Sequence, residues 1–288
     1  MKLTTKIIAG IILSVFVISL LHIIGYSFSD RKNYGYFFTE NSIKIPQPLN
    51  TEININDCKV VVLEMEQSDI DGNYFYIVSD GCGLFIQPVQ IGDKSNKLTI
   101  PDALNEFIFT QTNNDTLIVQ IKIDELRKKI GVINKSTKKR EDSRIKHAVS
   151  VTGLNLYLTV SNVNVINKLN NMQTQINNIE AESILINSTG EISIESCKAN
   201  VIEPVSTQRL IVKNSSAKTL NLDLDKISGW SIDNCNIDVR NFTGSKSNHN
   251  IKFTQTENGK INWLPKNKDA SLNIQLKGDT AQINFQIL

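Results

Sequence analysis

The sequence predicts an all-β protein: an irregular, coiled β-solenoid or β-helix-like domain that follows an N-terminal transmembrane helix. Three observations carry that expectation. Eighteen almost wholly apolar residues begin at Ile7. Short alternating apolar segments, separated by polar turns, then run from residue 42 to the end. Between residues 155 and 240 a pair of alternating apolar residues followed by an Asn-centred turn keeps returning. A strand-and-turn unit repeating every 20–30 residues is the mark of a chain that winds and stacks like units.

Residues 1–29 read as a signal anchor. Ile7–Ile24 is interrupted only by Gly10, Ser14, Ser19 and His22, Lys2 and Lys6 precede it, and no acidic residue occurs before Asp30. At ~1.5 Å per residue such a helix spans ~27 Å, close to the thickness of a thin bilayer. A cleaved signal usually has a shorter apolar run of ~7–15 residues. The length therefore favours retention, with secretion after cleavage near Ser27-Phe28-Ser29 as the alternative. The flanking lysines place the N-terminus in the cytoplasm and the following domain outside it, in the periplasm or at the cell surface of a bacterium. The lipid bilayer is thus the first expected partner, through residues 7–24. Residues 30–41 form a linker rich in Tyr and Phe.

Residues 42–288 are expected to be the extracytoplasmic β domain. Its first part, 42–123, is an irregular β region with segments such as Val60-Val-Val-Leu63, Leu84-Phe-Ile86 and Leu117-Ile-Val-Gln-Ile121. Turn signals such as Asp71-Gly72-Asn73 and Asn113-Asn114-Asp115 separate them. Residues 124–147 are a charged insertion with nine Lys or Arg between 127 and 146, broken by Glu141 and Asp142. It reads as a solvated loop, Asp124–Gly131 offering a helical turn or two.

Residues 148–288 carry the repeats. The copies centre on Asn162, Asn187, Asn214 and Asn234, spaced 25, 27 and 20 residues apart, and these four Asn are expected at structural turns. Asn bonds its own backbone and tolerates left-handed geometry, and the chain has 33 Asn but only 14 Gly. In stacked coils like side chains can also bond one another in ladders. The closing segments, Leu272–Leu276 and Ala281–Leu288, alternate cleanly and read as antiparallel capping strands.

The anchor, the irregular β stretch and units such as Ile186-Asn-Ser-Thr-Gly-Glu-Ile-Ser-Ile194 resemble the GIN-type head domain of candidate bacterial autotransporter adhesins. The likeness covers about 42–245. Members carry Gly-Ser-Gly-Asp-type turns where this chain has Asn187-Ser-Thr-Gly190-Glu191 and Asn214-Ser-Ser216. The resemblance implies a right-handed solenoid at the envelope and an adhesive role.

Composition narrows the function further. A net charge of +2 over 288 residues does not suggest nucleic acid. Cys58, Cys82, Cys197 and Cys235 allow three disulfide pairings, local ones being the least demanding, or serve as small buried side chains. No zinc-ligand spacing, phosphate loop or nucleophile elbow occurs, so no cofactor is expected. Asp223 and Asp225, at i and i+2, would share one strand face. There they are weak candidates for a Ca²⁺ site or for acid-base work on a glycan, joined by Asp233 and Asp238 about one unit later and with Arg209 or Lys213 as basic partners. The expected function is a membrane-anchored envelope protein, non-catalytic, structural or adhesive, binding glycan or an envelope protein. A carbohydrate-active enzyme using the Asp pair, and an envelope sensor, are the alternatives.

Overall fold

The computed structural model describes residues 42–45, 49–55, 58–65, 74–77, 82–90, 95–122, 125, 148–169, 172–253, 259–276 and 283–287. The apolar run 7–24, the linker 30–41 and all but Glu125 of the charged stretch 124–147 lie outside them. No helix among the described residues is long and apolar enough to cross a membrane.

Strands dominate. In chain order they are β1 (Ser42–Lys44), β2 (Leu49–Asn54), β3 (Val60–Met65), β4 (Tyr74–Ile77), β5 (Gly83–Pro88) and β6 (Lys97–Pro101). A short 3-10 helix, Asp102–Phe107, precedes β7 (Ile108–Asn113), β8 (Thr116–Ile121), β9 (Ala148–Thr152), β10 (Asn155–Val160) and β11 (Val163–Asn167). Then come β12 (Gln173–Asn177), β13 (Glu180–Ser188), β14 (Glu191–Glu195), β15 (Lys198–Lys213), β16 (Ser216–Asp223) and β17 (Ile227–Asp233). The last are β18 (Asn236–Gly244), β19 (His249–Phe253), β20 (Gly259–Pro265), β21 (Leu272–Leu276) and β22 (Ile283–Ile287).

Two mainly parallel sheets are built from alternate strands. The longer runs β7-β8-β3-β11-β13-β15-β16-β18-β20-β22. The second runs β2-β6-β10-β5-β12-β14-β15-β17. Among the described residues the only antiparallel pairs in them are β7–β8, β2–β6 and β6–β10. Strand β15 belongs to both. Its first half pairs with β13 and β16, and its second half, from Thr207, pairs with β14 and β17. Pro204 sits near that change, where the register with β13 shifts at Ile186/Asn187, as a residue without an N–H requires.

This is a solenoid-like coil, and one apolar cluster fills it. Ile184, Ile202, Leu220 and Ile261 stack in one register row, each no more than 1% exposed. Arg240 occupies the same row, 2% exposed, and donates to the Ile237 carbonyl. Strands β3 and β5 enter the same two sheets, so the stretch before the charged insertion and the repeats after it interleave.

Two expectations are corrected. The coil period is not 25, 27 and 20: register partners Glu180, Lys198, Ser216 and Asn236 lie 18, 18 and 20 residues apart. The closing strands are not antiparallel either. Strand β21 pairs parallel with β19 and β22 parallel with β20, because each follows its predecessor by one full turn of the coil. The four cysteines are present as thiols. Cys197 points its Sγ at the carbonyls of Glu195 and Ile176, and burial pushes its pKa up. Cys82 Sγ accepts the Leu154 N–H.

Candidate functional site

The coil turns sharply where the backbone becomes left-handed. Asn178, Ser196, Asn214 and Asn234 have φ of 57°, 55°, 49° and 52°. They form one column of corners, one per coil. The N–H groups of Asn178, Ser196 and Asn214 each reach a carbonyl on the next coil, at Glu195, Lys213 and Asp233. Asn214 and Asn234 are therefore at turns, and Asn234 Nδ2 donates to Asn214 Oδ1 at 2.7 Å. Asn162 lies on a bend, where its Oδ1 accepts the Glu182 N–H. Asn187 is not at a turn. It lies inside β13, opposite Ile166, because the repeat is phased by the corners and not by the Asn after each apolar pair.

A second Asn column, absent from the sequence reading, runs along the outer face of the long sheet. Asn262 donates to Asn241 at 2.8 Å, Asn241 to Asn221 at 2.9 Å, and Asn221 to the Glu203 carboxylate at 3.0 Å. The spacing of 20 and 21 residues between these Asn was the available signal.

Asp223 and Asp225 do not share a strand face. Strand β16 ends at Asp223, and Asp225 lies in the following turn, its N–H donating to Asp223 Oδ1. The i, i+2 alternation fails because that bond folds the chain back. Lys266 bridges the pair, with Nζ 2.6 Å from Asp223 Oδ1 and 2.8 Å from Asp225 Oδ2. The bond from Lys266 holds the Asp225 carboxyl well below the usual carboxylate range, and the two carboxylates, led by Asp223, raise the Lys266 ammonium. Asp225 Oδ1 also accepts the Ser245 N–H and faces His249 Nε2 at 3.2 Å.

His249 is 8% exposed and lies edge-on to Trp263. Its ring fills the space where Gly244 has no side chain: a Cβ there would stand 2.4 Å from Nε2. The basic partners expected for the Asp pair are elsewhere. Arg209 faces Glu191 at 3.7 Å, and Lys213 is opposite Asp233 in the second sheet. Lys226 Nζ lies 3.8 Å from Asp223 Oδ2, so Asp223 and Asp225 form an ion-paired corner with two ammonium groups. No group of three or more His, Cys, Asp or Glu among the described residues is arranged to hold a metal.

A groove of about 770 Å³ crosses successive coils of the long sheet. Its floor is the stack Ala181, Ala199 and Ala217, and its sides carry Glu180, Lys198 and Asp238. Asn162 lies at one end. Glu180 and Lys198 bond across adjacent coils at 2.7 Å. Small residues in the floor and long polar ones on the sides make a shallow polar track that can hold an extended polar ligand.

No protein-family model matches the chain, and no curated protein does. Similar solved structures exist. A candidate adhesin of Bacteroides fragilis matches 85% of this chain and 100% of its own at 13% identity, with a TM-score of 0.41. A candidate lipid-binding protein of Parabacteroides distasonis matches 85% and 99% at 13% identity and 0.36. A candidate adhesin of Parabacteroides merdae matches 86% and 98% at 13% identity and 0.31. Similarity of this degree defines neither a family nor a ligand.

Proposed function

We propose that this chain is a non-catalytic binding protein of the bacterial envelope, adhesive or structural in role, of the GIN-type head domain class. Residues 7–24 would hold it in the membrane with the β domain outside the cytoplasm. The observation that carries the reading is the groove over Ala181, Ala199 and Ala217. It repeats the same polar and small positions from coil to coil, which suits a long glycan or an extended segment of an envelope protein. The Asp223/Asp225 pair, bridged by Lys266 and with Lys226 3.8 Å from Asp223, is better suited to hold a corner than to transfer protons.

The test is a glycan array together with an envelope pull-down, both using the full chain. Retention should fall when Asn200, exposed in the groove, is changed to Trp, and should be unaltered in the Asp223→Asn/Asp225→Asn double variant. Glycan cleavage that the double variant abolishes would overturn the reading in favour of an enzyme. Digestion of the β domain by protease added outside spheroplasts tests its placement.

A further inference from the structure

The hairpin β7–β8 forms one end of the long sheet, and its outer strand is β7, Ile108-Phe-Thr-Gln-Thr-Asn113. Among the described residues its other edge carries no strand. Natural edge strands are usually blunted by charge, proline, a bulge or shortness. This one has six residues in regular register, no ionisable residue, no proline and no glycine. Residues 109–113 are all exposed, and Phe109, at 49%, is the most exposed large apolar side chain among the described residues. An uncovered strand of that composition is a template for another strand.

The hairpin geometry says which groups are available. Strands β7 and β8 close on the two-residue turn Asn114–Asp115, so Asn113 and Thr116 face each other as a hydrogen-bonded pair. Alternation then directs the N–H and C=O of Thr112, Thr110 and Ile108 away from β8. Those three residues are the bonding groups of the edge.

We propose that β7 is a self-association edge, at which two copies of this chain pair antiparallel across a two-fold axis at Thr110. In that register Thr110 faces the second copy's Thr110, and Ile108 faces the second copy's Thr112. All outward backbone groups of both strands are then satisfied. Phe109 faces the second copy's Gln111, which sets the two Phe109 rings on the diagonal of one sheet face, within reach of each other. The neutral strand selects a second copy as the occupant. A two-fold axis brings each residue near its own equivalent, so a charged strand would oppose like charges, and this strand has none. The result is one sheet continuing through both coils.

The test uses the full chain in mild detergent. Thr110→Cys should give a disulfide-linked dimer on oxidation, since facing hydrogen-bonded residues have Cα atoms ~5.5 Å apart, within disulfide range. Gln111→Cys, off the axis, should give several-fold less. Thr110→Lys, which places two ammonium groups together, should convert the dimer to monomer by light scattering while keeping the melting temperature of wild type diluted to its monomer, because Thr110 is exposed in one copy. A monomeric wild-type chain at its highest soluble concentration would overturn the proposal. So would equal cross-linking by the two cysteine variants, or a dimer that Thr110→Lys leaves intact.

Discussion

Asn234 donates its side-chain amide to the Asn214 side chain on the preceding coil, and both residues have left-handed backbones. One residue type thus meets two demands of the corner. Asn adopts positive φ at lower cost than most side chains, and its amide can both donate and accept along a stack. Ser196 is the one member of the corner column that is not Asn. Ser196→Asn should therefore stabilise the chain by about 0.5–1 kcal/mol, read as a higher thermal midpoint. Asn214→Ala should lower it by about 1–2 kcal/mol, by losing both the conformational tolerance and the bond. A destabilised Ser196→Asn variant would contradict the column.

The core rows predict a larger effect. Ile186 and Val212 are both 0% exposed and lie on opposite sheets of the same apolar cluster. Ile186→Asp or Val212→Asp should each cost ~3–5 kcal/mol or more, since a charge there would be buried without a partner. Urea denaturation measures this. An unchanged midpoint for either variant would mean that its side chain does not face the interior.

Much of this architecture was legible from residue alternation. Ile184-Leu-Ile186 and Leu210-Ile-Val212 read directly as strands with one buried face, and they are so. The phase of the coil was not legible, because Asn performs three jobs here. Asn214 turns the chain, Asn187 pairs within a strand, and Asn241 belongs to an outer ladder. Period alone cannot separate them when all are the same residue type. The Asp223/Asp225 turn is not legible in the sequence for a related reason. Alternation assumes a continuing strand, and the bond from Asp225 N–H to Asp223 Oδ1 ends it. The partner that bridges the pair, Lys266, lies 41 residues beyond Asp225, and only the stacked corners bring it there.

Gly244 and His249 give a packing prediction that no strand pattern contains. A Cβ at 244 would meet His249 Nε2 at 2.4 Å and Cδ2 at 2.7 Å. His249 is buried against Trp263, so the ring cannot simply move outward. Gly244→Ala should cost about 1–3 kcal/mol, in the range of overpacked cores. Trimming the ring in Gly244→Ala/His249→Ser should remove the clash. The double variant should then be less destabilised than the sum of the two single ones. Additive costs in chemical denaturation would place the strain elsewhere.

The ionic corner predicts how stability depends on pH. Asp225 has a folded pKa below its unfolded value of ~3.9, chiefly through its bond from Lys266. Its contribution is therefore present above about pH 4 and is lost as pH falls through the folded pKa. Lys266 has a folded pKa above its unfolded value of ~10.4, raised by Asp223 and Asp225. Its contribution is complete below that unfolded value and is lost as pH rises through the folded one. Removing the ammonium in Lys266→Met should lower the urea midpoint by a constant amount between pH 5 and about pH 9. The gap to wild type should close in acid, where Asp225 is protonated in both proteins, and in strong alkali, where Lys266 is neutral. The side chain of Lys266 is 36% exposed, so solvent screens the pair and added salt should shrink the gap. A difference that stays the same from neutral pH into strong acid would mean that Lys266 acts through packing and not through its charge on Asp225.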